Sequence, residues 1–157
     1  MIWLFDRFSE KGIKVIYLAQ DEARRLGHNW VGTEFILLGI FLQGSGTALE
    51  VLKTMDRRSP KELLRVGRKV VETRIGKGPG LFDKEIPFSP RAKKILDLAL
   101  GHARKFEREY IQTEDLLVAI VADGDELGFR ILEALRIDVE EIPDNVEEYL
   151  EQNKMKR

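Results

Sequence analysis

The chain has 157 residues, 43% hydrophobic and 34% charged, with a formal net charge of −1. That length fits one domain or two small fused ones around a buried core. The absence of cysteine excludes a disulfide framework, a thiolate nucleophile and a cysteine-ligated zinc, and the near-zero charge supplies no global field for nucleic acid or an anionic membrane.

Met1 to Asp6 is apolar but has neither a basic region nor a long apolar stretch, so it is not a signal peptide and is expected to pack on the body. Ser9 is the expected N-cap of a first helix, with Phe8 before it as a staple. Val15, Leu18, Ala19, Ala23 and Leu26 recur at steps of three and four, an amphipathic stripe that Gly27 ends. Trp30-Val31-Gly32-Thr33-Glu34 then opens a run, Phe35 to Leu42, that is apolar nearly all round. Such a run predicts a buried central helix, and it is too short for a membrane span, which takes roughly 20 apolar residues. Thr33 is its expected N-cap and Glu34 a first-turn charge favoured by the helix dipole. After the Gly44-Ser45-Gly46 turn, Ala48 to Met55 predicts a short third helix. Ser59-Pro60 starts a fourth that runs to about Ile75, and Gly76-Lys77-Gly78-Pro79-Gly80 begins a linker reaching Pro87.

The pattern then repeats at an ungapped offset of 80 positions. Phe88-Ser89-Pro90 matches Phe8-Ser9-Glu10, Thr113-Glu114 matches Thr33-Glu34, and Gly124 matches Gly44. Ile95, Leu98, Ala99, Ala103 and Phe106 reproduce the first stripe, and Leu116 to Ala122 the central helix. Phe129, Ile131, Leu132 and Leu135 echo the third helix, and Ile142, Val146, Tyr149 and Leu150, with Pro143 at their start, a fourth. The expected fold is all-α, a duplicated four-helix unit with eight helices and pseudo-twofold symmetry. Repeat 1 spans 8–75, the linker 76–87, repeat 2 88–150, and 151–157 is a polar tail. Equivalent sites should occur twice, and a monomer is expected because each half covers the other's apolar faces.

Several stretches together resemble the N-terminal domain of Clp unfoldases, the double Clp repeat domain, most closely that of the ClpC type in cyanobacteria and plastids. They are Arg7-Phe8-Ser9-Glu10-Lys11, Leu18 through Asn29, Val31-Gly32-Thr33-Glu34, and Ile86 through Lys94. The second half departs at Phe106-Glu107-Arg108-Glu109 and Gln112-Thr113-Glu114, where the family repeats Leu-Gly-His-Asn and Gly-Thr-Glu. No Gly-x-x-x-x-Gly-Lys-Ser/Thr loop is present, so the chain carries no P-loop ATPase module of its own. The resemblance implies a non-catalytic interaction module of the Clp protease–chaperone system. Its partners would be the protease core, the Clp ATPase, an adaptor or a client, in the cytoplasm or plastid stroma and without a cofactor. A free-standing accessory subunit is the first expectation. The alternatives are a recruiting domain of a full ATPase, or a regulatory binder that reuses the fold.

The resemblance also implies site residues. In ClpC-type domains of some bacteria, glutamates matching Glu34 and Glu114 hold the guanidinium of phosphoarginine, beside hydroxyl residues matching Ser9 and Ser89. By themselves these residues read as helix caps and first-turn charges. Arg57, Arg58, Lys61, Arg65, Arg68 and Lys69 crowd the end of repeat 1, and acidic residues from Asp138 to Glu151 crowd the end of repeat 2. These are two solvated faces or a dipolar docking surface; nucleic acid is not the expected partner, because no aromatic residue is interleaved with the basic run. His28 is expected to be a structural hydrogen-bonder, and neither it nor His102 has a neighbour at metal-ligand spacing.

Overall fold

The computed structural model describes residues 5–80, 85–124 and 126–154; the apolar start Met1 to Leu4 and the tail end Met155 to Arg157 lie outside them. Repeat 1 forms α1 (Glu10–Arg25), α2 (Thr33–Gln43), α3 (Thr47–Met55) and α4 (Pro60–Arg74). Repeat 2 forms α5 (Pro90–Lys105), α6 (Thr113–Asp123), α7 (Leu127–Ala134) and α8 (Ile142–Gln152). Among the described residues, an unforeseen element is a 3-10 turn, Val139–Glu141, leading into α8. Local chemistry sets these bounds. The Ser9 hydroxyl accepts the Gly12 N–H at 3.0 Å and the Ser89 hydroxyl the Ala92 N–H at 3.1 Å, capping α1 and α5. Ser59 caps α4 with Glu62 completing a capping box. Gly44 and Gly124 end the central helices at φ +82° and +77°, where a Cβ is disfavoured.

The two repeats are interlocked. The central helices α2 and α6 are buried from Thr33 to Phe41 and from Thr113 to Ile120, so both faces of each need cover. That cover is exchanged: α3 of repeat 1 packs mainly on α6, and α7 of repeat 2 mainly on α2. α4 then closes over α2 and α7, and α8 over α6 and α3, which is the pseudo-twofold relation in contact form. Two single parallel bridges stitch the same seam, Phe8 to Ile111 and Val31 to Phe88. In them Ser9 N–H donates to Ile111 O at 2.9 Å and Ser89 N–H to Val31 O at 3.0 Å.

This interlock corrects one reading of the sequence. Thr33 and Thr113 do not cap their own helices; Gly32 and Gln112 hold the cap positions. Each threonine instead caps a helix of the other repeat. Thr113 Oγ1 accepts the Ala48 N–H at the start of α3 at 3.1 Å, and Thr33 Oγ1 accepts the Gly128 N–H at the start of α7 at 3.3 Å. Gly46 makes room for this, since a Cβ there would lie 2.5 Å from Thr113 Oγ1. Replacing Thr113 by Val keeps the shape and strands a buried N–H, so urea unfolding should show a loss of about 1–3 kcal/mol. An unchanged midpoint would remove the cross-cap from the account.

An ion cluster around the buried carboxylate of Glu22 ties α1 to α4. Glu22 accepts from Arg68 at 2.6 and 3.1 Å and from Arg25 at 3.1 and 3.3 Å. Burial pushes Glu22 upward, but the hydrogen bonds and charges of Arg68 and Arg25 outweigh it and hold it below the usual carboxylate value. Arg68 is thereby committed to the interior side of α4.

Candidate functional site

The helix start of α2 carries Glu34 in its first turn, and α6 carries Glu114 at the equivalent place. The bridges decide which hydroxyl residue lies near which glutamate, and they cross the repeats. Ser89 is bonded to Val31, three residues before Glu34, and Ser9 to Ile111, three before Glu114. Each site is therefore composite, pairing one repeat's central helix with the other repeat's first helix. Trp30 and Tyr110, equivalent by the same offset, stand 50% and 45% exposed beside these bridges.

The two sites stand at equivalent helix starts and differ in their charged partners. Glu34 is 8% exposed, and no ion pair to it occurs among the described residues. Its carboxylate folds back on Gly32, where an added Cβ would lie 2.5 Å from both oxygens. Burial raises its pKa from the ordinary 4.5 to about 7; its own backbone N–H opposes the rise and the charge of Glu126 adds to it. Glu114 is instead paired with a cation. Arg108 Nη1 donates to Glu114 Oε2 at 2.7 Å, and Nη2 donates to Asp115 Oδ1. His102 Nδ1 lies 2.5 Å from the same Asp115 oxygen, and Asp115 Oδ2 accepts the Gln112 N–H at 2.8 Å. Burial is again the largest influence on Glu114 and raises its pKa, with Asp115 adding and Arg108 opposing.

The offset explains the difference residue by residue. Arg108 stands where repeat 1 has His28, Asp115 where it has Phe35, Gln112 where it has Gly32, and His102 where it has Glu22. In repeat 1, His28 rests its ring against Phe35, 5.8 Å between centroids, and its Nε2 is 2.8 Å from Gly76 O. This is the structural hydrogen bond expected of it. At Glu114 the residue two before is Gln112 in place of glycine, and the carboxylate pairs with Arg108. The Arg108 network was missed from sequence. Its signal lies in the offset: the replacements at 102, 108, 112 and 115 fall at one helix start once the repeats are superposed. Gly27 shows the same divergence: at φ +74° it receives the linker, with Gly78 N–H donating to Leu26 O at 2.6 Å. Its equivalent Glu107 holds φ +58° without that neighbour.

Of the basic set, Arg57, Lys61, Arg65 and Lys69 are exposed on one face and Arg58 is half-buried against Asp56, while Arg68 is turned to Glu22. The acidic side chains of Asp138, Glu140, Glu141, Asp144, Glu147, Glu148 and Glu151 at the end of repeat 2 are all exposed.

The sequence and the fold are similar to those of known proteins. The family model for the Clp repeat (R) N-terminal domain matches residues 7–135. The ATP-dependent Clp protease ATP-binding subunit ClpA homolog of Porphyra purpurea is 49% identical over 150 residues, 96% of this chain and 18% of that protein. The chloroplastic chaperone protein ClpC1 of Oryza sativa is 48% identical over 143 residues, 91% of this chain and 15% of that one. The chain thus spans under a fifth of these relatives. In fold it is similar to the N-terminal domain of the caseinolytic protease-associated chaperone ClpD of Arabidopsis thaliana. That match has a TM-score of 0.72 at 24% identity, covering 93% of this chain and 99% of the other. An interlocked pair of four-helix repeats with this sequence belongs to the Clp repeat (R) N-terminal domain family.

Proposed function

We propose that the chain is a non-catalytic protein-binding module that recruits clients or adaptors to a Clp ATPase and its protease. Its working site is the Glu34 position, and the group it takes is a guanidinium, as on a client side chain carrying phosphoarginine. The observation behind this reading is the buried carboxylate of Glu34, without a cation among the described residues, at a place whose symmetry mate holds a guanidinium. A planar guanidinium fits a carboxylate with paired hydrogen bonds, and the adjoining start of α5 at Ser89 offers helix N–H groups to a phosphate. Trp30 gives a flanking peptide an aromatic surface.

The exposed Arg57, Lys61, Arg65 and Lys69 serve a different task, orienting the module on an acidic partner surface such as an adaptor or the ATPase body. A free-standing accessory subunit and the recruiting domain of a longer ATPase would both use the same two surfaces. Calorimetry with phosphoarginine as the free amino acid tests the reading. Heat that saturates with the wild-type chain and is lost in Glu34→Gln supports it. No heat at millimolar concentration overturns it.

A further inference from the structure

We propose that Arg108 is a built-in occupant of the second site, so that the duplicated domain presents one guanidinium-binding position instead of two. The inference rests on the guanidinium-binding reading of Glu34 for its ligand, and on different residues for its content. Arg108 enters Glu114 and Asp115 from the loop after α5 with its side chain 10% exposed, and both carboxylates are buried. Its two terminal nitrogens each meet a different carboxylate, the way an external guanidinium would be gripped. The helix start that Ser9 caps remains beside this site, bridged to Ile111. What has changed is therefore the vacancy, not the scaffold.

The replacements act together. His28 in repeat 1 is too short and too engaged with Gly76 to reach Glu34, whereas Arg108 has the length and the fork. Asp115 in place of Phe35 adds a second carboxylate that a single ligand guanidinium would have to share with Arg108. On its outer side Arg108 lines an open cleft of about 410 Å³ with Lys105 at the end of α5, Phe106 and Glu107 from its own loop, and Glu147 and Leu150 from α8. Removing the Arg108 side chain would open Glu114 to that cleft. Arg108 is thus a specificity-determining residue: it fixes the number of cationic groups the domain takes and assigns them to the Glu34 side.

The test silences the first site and unplugs the second. Phosphoarginine is titrated calorimetrically into the wild-type chain, Glu34→Gln, Glu114→Gln, and Glu34→Gln combined with Arg108→Ala. Because Arg108→Ala can weaken folding, a second unplugged variant, Arg108→His with Asp115→Phe, restores the repeat 1 residues and is titrated in the same Glu34→Gln background. The expected pattern is one equivalent for wild type and Glu114→Gln, none for Glu34→Gln, and binding regained in an unplugged variant. Two equivalents in the wild type, or binding retained in Glu34→Gln, overturns the plug. An unplugged, folded variant that stays silent overturns it as well. A silent wild type with a responsive unplugged variant instead removes the Glu34 reading and keeps the role of Arg108.

Discussion

Arg108→Met should lower the folding stability of the domain by about 3–5 kcal/mol at neutral pH, the cost of leaving buried charge without its partner. Two carboxylates depend on this one side chain, Glu114 and Asp115, and both lie in the interior at the start of α6. His102 reaches only Asp115, so Glu114 would lose its single ion-pair partner among the described residues. Removing the charges as well should reverse the loss. Arg108→Met combined with Glu114→Gln and Asp115→Phe recovers most of the stability, since well-packed apolar groups can replace a buried ion cluster at little net cost. The Nε of Arg108 is itself buried without a hydrogen-bond partner, so the native cluster is not an optimal solution for stability. Urea unfolding of the single and combined variants checks this. A loss under about 1 kcal/mol for Arg108→Met would mean the cluster is a solvated surface pair.

Glu34→Gln should have the opposite sign, stabilising the fold at alkaline pH. The folded protein holds Glu34 at about 7 against an ordinary 4.5, so between those values the native state binds more protons than the unfolded chain. Stability then falls as pH rises through that window and levels off above it. At about 1.4 kcal/mol per pKa unit, the ionised carboxylate costs the folded state about 3 kcal/mol by pH 8. Glutamine removes that cost, so the variant gains this amount at pH 8 and almost nothing at pH 4. A gain that is the same at both pH values would show that burial is not the source. A residue that burdens the fold at an otherwise well-packed helix start calls for a use, and a cation that pairs with Glu34 would recover the cost on binding. Affinity for a guanidinium should accordingly rise with pH through 7.

Most of the architecture was legible because the signals that build it are local. Caps such as Ser9, Ser59 and Ser89 act within one turn, glycines such as Gly44 end a helix at the next residue, and the apolar stripe reports which face is buried. The repeat added a second, independent copy of each signal. The 3-10 turn before α8 was not legible, because three residues give no period to read. Thr33 and Thr113 were misassigned for a related reason: a threonine beside a helix start looks like a cap of that helix, and only the packing of the two repeats reveals that its partner is Gly128 or Ala48. The site was half legible. Glu34 and Glu114 were found by position, but position alone makes them equal. Their inequality is a matter of reach and room, set by Arg108 at one and Gly32 at the other.

Carboxyl-carbon NMR of Glu34 and Glu114, titrated with pH in the free protein and again with saturating phosphoarginine, addresses the unequal sites directly. Glu34 should titrate near 7 when free and at lower pH when the ligand is present, with the Glu114 signal unmoved by ligand. A Glu34 carbon that titrates in the ordinary range, or two glutamate signals that respond alike, would contradict the account.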